Sequence, residues 1–443
     1  MKNRSIWILV SILLIASMVL AACGGGEEAT PAETTGGEAT APAEMVTIRW
    51  RTRPDNQAEQ DVYQQISDEL SAQLASKGIQ LQYDPAPVTG YLDKLTTEFS
   101  AGNAPDVVWI PGASTADYSN LGVISDLMPY VNKDSSFKIS DYYDAVMKEL
   151  QQDGKLWGLP RDISTLVLYY NKDLFAKYGV DDPATLAANG EWNCENFERV
   201  AKELTHEDDK VYGFSMSNWW GPWGWFLYSH GGNLFNADRT ACGLTDPASI
   251  KGLQFMSDLF NVDKVAPPPG IEGGVGETEF LAGSIGMFPN GRWMTPGMRQ
   301  NAQFNWGVVE MPKCDAQSTW LFWGPYVMSA ATEHPDQAWE VIKALTSPEV
   351  QAKVAALGTN IPSNKDQAAV DAFLNSKPPE DNQPFIAGAS YAQAEIPLYT
   401  GNWGDIVNGQ YQPNIDNILY GKATVEDAVK AACEGANPLF KTP

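Results

Sequence analysis

Val46-Thr47-Ile48-Arg49-Trp50-Arg51 opens a stretch in which strand and helix patterns alternate. Val46, Ile48 and Trp50 fall on one face of an extended chain and Thr47, Arg49 and Arg51 on the other, the period of a half-buried strand. The spacing of Tyr63, Ile66, Leu70 and Leu74 then predicts a helix over 58–76, stopped by Lys77-Gly78. A second strand is expected at 79–83, a second helix over 90–100, and a buried third strand at Asp106-Val107-Val108-Trp109-Ile110. Alternation of this kind builds a parallel sheet with helices on its faces, and ligands bind beyond the carboxyl ends of such strands. Arg51 and Arg53 follow the first strand and Trp109 ends the third, so all three belong at that edge.

Downstream, Gly154-Lys155-Leu156-Trp157-Gly158-Leu159-Pro160 reads as a hairpin leading into an apolar strand at 165–170. A helix near 195–204, a strand at 211–215, a helix at 250–260 and strands at 285–288, 306–311 and 326–329 make a second α/β region. Between them lies the aromatic run Asn218-Trp219-Trp220-Gly221-Pro222-Trp223-Gly224-Trp225-Phe226. Helices are expected over 335–357 and 425–434.

Ahead of the first strand, Lys2 and Arg4 precede an apolar run at 6–20, and Leu20-Ala21-Ala22 stands before Cys23-Gly24. That is the pattern of a secretory signal peptide, and its end resembles the bacterial lipobox, with cleavage before Cys23 and a lipid on its sulfur. Residues 24–44 hold nothing suited to a core and read as a disordered tether spanning roughly 25 Å. The chain carries 30 Lys and Arg against 55 Asp and Glu, a net charge of −25. Loss of Lys2 and Arg4 with the leader makes the mature protein more acidic still, so it has no general attraction for nucleic acid or anionic lipid.

Besides Cys23 there are Cys194, Cys242, Cys314 and Cys433, an even number that suggests two disulfides with three possible pairings. None lies in a zinc-binding spacing, and three dispersed histidines leave little for a His-dependent nucleophile. No metal or cofactor is implied.

Four stretches together resemble the extracellular solute-binding proteins of carbohydrate ABC importers, the family typified by maltose-binding protein. They are Ser100 to Trp109, Trp157 to Phe175 with its Tyr169-Tyr170-Asn171-Lys172-Asp173-Leu174-Phe175, Phe280 to Trp293, and Gly409 to Asn437. The resemblance implies a two-lobed periplasmic-binding-protein-like α/β fold, each lobe a mainly parallel sheet flanked by helices, joined by three hinge crossings. Lobe one would hold 45–163 with 313–355, and lobe two 164–312 with 356–443. It further implies a monomer that is no enzyme. Such a protein captures a sugar between the lobes and delivers it to permease subunits served by a cytoplasmic ATPase. It would be held at the outer face of the bacterial cytoplasmic membrane by its lipid anchor alone.

Sugars offer apolar C–H faces and a rim of hydroxyls, so their sites need flat aromatics with polar groups alongside. By resemblance, Trp109, Trp293 and Trp403 are stacking aromatics and Asp162 a hydroxyl-binding acid at the hinge. Trp219 and Trp223, four apart, would share a helical face. Trp323 precedes Gly324, which allows close approach. Arg51, Arg53, Arg161 and Arg292 fall near the cleft edges; Arg292 suits an acidic sugar or an acidic partner across the cleft. The pairing Cys194–Cys242 with Cys314–Cys433 is expected, because Cys314 stands where the chain leaves lobe two and both bridges would then leave hinge motion free. A secreted carbohydrate hydrolase and a binder of a phosphodiester or of ferric iron, through Tyr142-Tyr143 or Tyr169-Tyr170, are the alternatives.

Overall fold

The computed structural model describes residues 45–54, 56–86, 89–267 and 276–441. The leader, Cys23 and the tether lie outside the described residues. Strand β1 (Val46–Arg51) pairs in parallel with β2 (Ile79–Tyr83) and β3 (Val107–Trp109), as the opening stretch predicts. Helix α1 (Gln57–Leu74) starts where Asn56 accepts the Glu59 N–H at 3.0 Å, buries Tyr63, Ile66, Leu70 and Leu74, and ends in a turn closed by Gly78 in the left-handed region. Helix α2 (Tyr91–Ala101) covers the same sheet with Tyr91, Leu95 and Phe99. Trp50 anchors this core. It is wholly buried, donates Nε1–H to Ser67 Oγ at 3.0 Å and packs on the rings of Tyr63, Tyr83 and Tyr326.

The chain then runs through β4 (Leu159–Thr165) and, after Leu166 alone, β5 (Val167–Asn171). Strand β4 belongs to the first sheet and β5 to a second, with β6 (Tyr212–Phe214), β7 (Ile285–Asn290) and β8 (Trp306–Val309). The chain returns in β9 (Trp320–Met328), which pairs along one edge with β4 and along the other with β3 and β10 (Gln393–Ala394). Gln393–Ala394 therefore extend the first sheet, although they fall in the 356–443 span assigned to lobe two.

The expectation of mainly parallel sheets holds for the first sheet, where β1–β2, β1–β3 and β9–β10 are parallel, and needs a correction for the second. In the second sheet only β6 and β7 are parallel; β5 runs antiparallel to both β7 and β8. In the first, β9 is antiparallel to β3 and β4. Strands that carry the chain from one sheet to the other enter each sheet against its local direction. Strand β9 is also far longer than the 326–329 expected, because Gly324-Pro325 reads as a break. Here that pair sits at a β-bulge, one of the places where a strand tolerates proline. The single helix expected over 335–357 is two, Pro335–Leu345 and Pro348–Ala356; Ser347 caps the second and Pro348 opens it.

The disulfide pairing is corrected as well: Cys194 joins Cys314, and Cys242 joins Cys433. Asn193 bridges to Lys313, with Cys194 N–H donating to Lys313 O at 3.1 Å, so the neighbouring cysteines meet. Cys242 N–H donates to Asn437 Oδ1 at 2.9 Å, just beyond the helix Val425–Ala436 that carries Cys433. Sequence separation carried no trace of either contact. Non-reducing peptide mapping is expected to recover Cys194–Cys314 and Cys242–Cys433 peptides; a Cys194–Cys242 peptide would refute the observed packing.

Candidate ligand-binding cleft

Strands β4 and β9 cross beneath a cavity of about 240 Å³ that has an aromatic wall and a polar end. Trp219, Trp220, Trp293 and Phe322 form the wall. Trp219 and Trp220 meet nearly edge to face, with centroids 5.1 Å apart, and Phe322 lies 5.4 Å from Trp219 and 5.2 Å from Trp293. The three indoles are only partly buried, unlike the wholly buried core tryptophans Trp50, Trp223 and Trp320. Gly291 is required here: a Cβ at that position would stand 2.1 Å from the Trp293 ring, which folds back over its own chain.

The polar end is built on an irregularity. Gly324 pairs with Asp162 and Pro325 with Pro160, so Arg161 is the extra residue of a bulge. In a regular strand, neighbouring side chains point to opposite faces; a bulge re-aims one of them. Both Arg161 and Asp162 consequently line the cavity, joined from Nε to Oδ2 at 2.6 Å, and Arg161 Nη1 donates to Thr52 Oγ1 at 2.6 Å. Burial disfavours the Arg161 cation, but Asp162, supported by Tyr63, Tyr326 and Glu59, holds its pKa well above the usual value. The guanidiniums of Arg161 and Arg53 lie 4.5 and 5.0 Å from the Trp109 ring centroid. Trp109 fits because Gly324 leaves room: a Cβ there would come within 2.2 Å of its Nε1. Asn360, 5% exposed, completes this end with an Nδ2 that has no protein acceptor.

Arg53, Trp109, Asp162, Trp219, Trp293 and Trp323 thus gather at one cavity. Arg51, Trp223, Arg292 and Trp403 do not line it. Arg51 is 1% exposed and turns to Asp84 and Glu98, tying α2 to the sheet. Trp223 is inside the core and donates to Gln412 Oε1 at 2.9 Å. The helical-face argument for pairing it with Trp219 fails because Trp219 is the extended residue ahead of the helix Trp220–Ser229, so Trp220 takes the second place. Among the described residues Arg292 has no acidic partner. Its guanidinium lies between Phe373 and Phe385 and donates to Gly358 O, Ser376 O and Asn382 Oδ1, and burial lowers its pKa to about 9. Trp403 packs behind the wall, 5.0 Å from Trp220.

One member of each tyrosine pair proposed for iron is engaged elsewhere: Tyr142 bonds Thr346, while Tyr169 bonds Gly291 O and Thr295. Among the described residues, the grouping with metal-ligand spacing is Cys194, His230 and Cys314, two of them joined as a disulfide. A larger depression, about 440 Å³ near Trp192 and Glu310, is lined by four alanines and lacks converging aromatics.

Sequence reasoning missed Ser164, Phe322, Asn360 and Glu395, which also line the cavity. Glu395 follows β10 and is 5% exposed; its Oε1 accepts the Ala113 N–H at 2.8 Å. Burial raises its pKa to about 7, against the pull of backbone N–H groups of Ala113 and Trp323.

A cleft between two α/β sheets with aromatic and polar sides defines a binding protein of the two-lobed class. Residues 70–379 match the family model described as bacterial extracellular solute-binding protein, and the chain belongs to that family. It is 24% identical over 384 residues to a maltooligosaccharide ABC transporter solute-binding lipoprotein of Streptococcus pneumoniae, covering 83% of this chain and 81% of that one. It is also 24% identical to the galactooligosaccharide-binding protein of Bacillus subtilis, covering 99% and 98%. Its fold matches an ABC substrate-binding protein from Listeria monocytogenes in complex with cycloalternan, with a TM-score of 0.80, 24% identity, and 89% and 99% coverage. Among the described residues no helix is long and apolar enough to cross a membrane.

Glu395 makes a pH prediction with a definite sign. Its pKa is about 7 in the folded state against an ordinary 4.5, so the native protein binds the proton more tightly than the unfolded chain does. Stability is therefore lost as pH rises from about 4.5 to about 7, by up to ~3 kcal/mol, and the loss levels off above. Glu395→Gln should lack this component, so its denaturation midpoint should gain on the wild type's across that window. Parallel pH profiles would refute it.

Proposed function

We propose that this protein captures a saccharide in the cleft, leaves it unaltered and delivers it to an ABC permease. The observation that carries this reading is the pairing of a flat indole wall with a polar end. Trp219 and Trp293 suit the apolar faces of sugar rings, while Arg161, Asp162 and Asn360 suit hydroxyls. The names of the relatives, which specify oligosaccharides, support the same ligand class. The leader and tether support a lipid anchor at Cys23 outside the cytoplasmic membrane. The polar end comes mainly from the first sheet and most of the wall from segments flanking the second. Closure of one lobe on the other would then bring both to the ligand, with hinges at 163–168, 309–314 and 356–362.

Asp162 and Glu395 are the two carboxyl-bearing residues at the cavity, the number a hydrolase would need. Asp162, however, is tied to Arg161. Unchanged saccharide after long incubation supports binding; a released product would favour hydrolysis.

Trp219→Ala or Trp293→Ala should cost about 2 kcal/mol of saccharide binding, roughly thirtyfold in Kd, with a much smaller loss of unliganded stability. Arg292→Ala should do the reverse, because its partners are interior carbonyls and Asn382. Calorimetric titration against gluco-, galacto- and arabino-oligosaccharides, with thermal unfolding alongside, checks both. Unchanged affinity in both Trp variants would remove the wall from the site.

A further inference from the structure

Glu395 is a buried acid in the cleft that no ion pair among the described residues accounts for. Its place is set by the backbone: its N–H donates to Leu321 O at 2.9 Å, and its carbonyl accepts Trp323 Nε1–H at 3.0 Å. This holds the residue beside β9, at the cavity that the aromatic wall and the Arg161–Asp162 pair share. The charged groups on the surrounding elements are otherwise engaged. From β4, Arg161 and Asp162 are bound to each other. From the segment after β1, the Arg53 guanidinium lies over Trp109. On the helix Thr115–Asn120, Asp117 takes a backbone N–H from Trp403 and faces Asp405. Strands β9 and β10 contain no charged residue. Among the described residues, no Lys or Arg forms a salt bridge with Glu395.

An acid so placed is sensitive to what enters the cleft. A hydroxyl or an ammonium group gives it a donor. A carboxylate, sulfate or phosphate brings a second negative charge beside a buried carboxyl, and two such anions close together cannot both stay ionised cheaply. We propose that Glu395 is a specificity-determining residue, one that selects neutral or amino-bearing saccharides over those presenting an acidic group at that end of the cleft. The proposal rests on the carbohydrate reading of the site. It also runs opposite to the acidic-sugar reading of Arg292, whose guanidinium the fold consumes internally. Because Glu395 titrates near neutrality, the selection strengthens as pH rises and the carboxyl ionises.

The test uses the mature chain with its disulfides intact, as wild type and Glu395→Gln. The amide keeps the side chain's size and an acceptor for Ala113 N–H but cannot ionise; Glu395→Asp, which can, is the second variant. Calorimetry compares a neutral oligosaccharide from the gluco-, galacto- and arabino- series with its uronic-acid counterpart, at about pH 5.5 and about pH 8.5, either side of the titration. The wild type should prefer the neutral member, and the preference should grow about tenfold between the two pH values, the ratio given by one unit of linked pKa shift. In Glu395→Gln the preference should be independent of pH; in Glu395→Asp the pH trend should persist. A wild-type preference that ignores pH, or the same trend in Glu395→Gln, overturns the proposal. If no saccharide of either kind binds, the carbohydrate reading falls. Infrared difference spectra of unliganded wild type against Glu395→Gln then decide: a carboxyl titrating near neutrality supports an uncompensated acid in the cleft, and one titrating in the ordinary carboxylate range overturns it.

Discussion

The antiparallel pairing of Leu159–Thr165 with Trp320–Met328 carries the rest of the site. Every residue of both strands is buried, and each strand continues toward or arrives from the second sheet. Strand β4 supplies Arg161, Asp162 and Ser164, and β9 supplies Phe322 and Trp323. The short β10 pairs with the start of β9, on the edge opposite β4, and so brings Glu395 to the same cavity. Disturbing that ladder would displace the polar end and part of the wall together.

Within the ladder, one bulge has an outsized effect. A regular register would send Arg161 and Asp162 to opposite faces of the sheet. The extra residue opposite Gly324-Pro325 turns both to one side, where they form an ion pair that lines the cavity. The ion pair is stable there because its geometry is close and Thr52 satisfies a further donor. Among the described residues no such cation pairs with Glu395, and burial moves its titration toward neutrality. The two acids of the cavity thus differ in their partners, because one strand irregularity sets Arg161 beside the first.

The tryptophans divide along a similar line. Trp50, Trp223 and Trp320 are wholly enclosed and serve the cores, while Trp219, Trp220 and Trp293 keep part of each ring uncovered. Trp403, with no place at the cavity surface, braces Trp220 from behind. The rings of the wall pack on one another, Trp219 on Trp220 and Trp293 on Phe322 edge to face.

Read alone, the chain determined the alternating βαβαβ start, because period-two and period-3.6 patterns are local properties of adjacent residues. It also determined the export pattern and the family, and it placed Arg53, Trp109, Asp162, Trp219, Trp293 and Trp323 near a cleft through strand ends and motifs. Tertiary structure alone decided three things that adjacency cannot encode. Strand direction in the second sheet depends on a chain entering from elsewhere, and the disulfides on the Asn193–Lys313 and Cys242–Asn437 contacts across more than a hundred residues. The ownership of each charged or aromatic side chain depends on which partner reaches it first in space: Arg292 goes to interior carbonyls, Arg51 to Glu98, and Glu395 to the cleft.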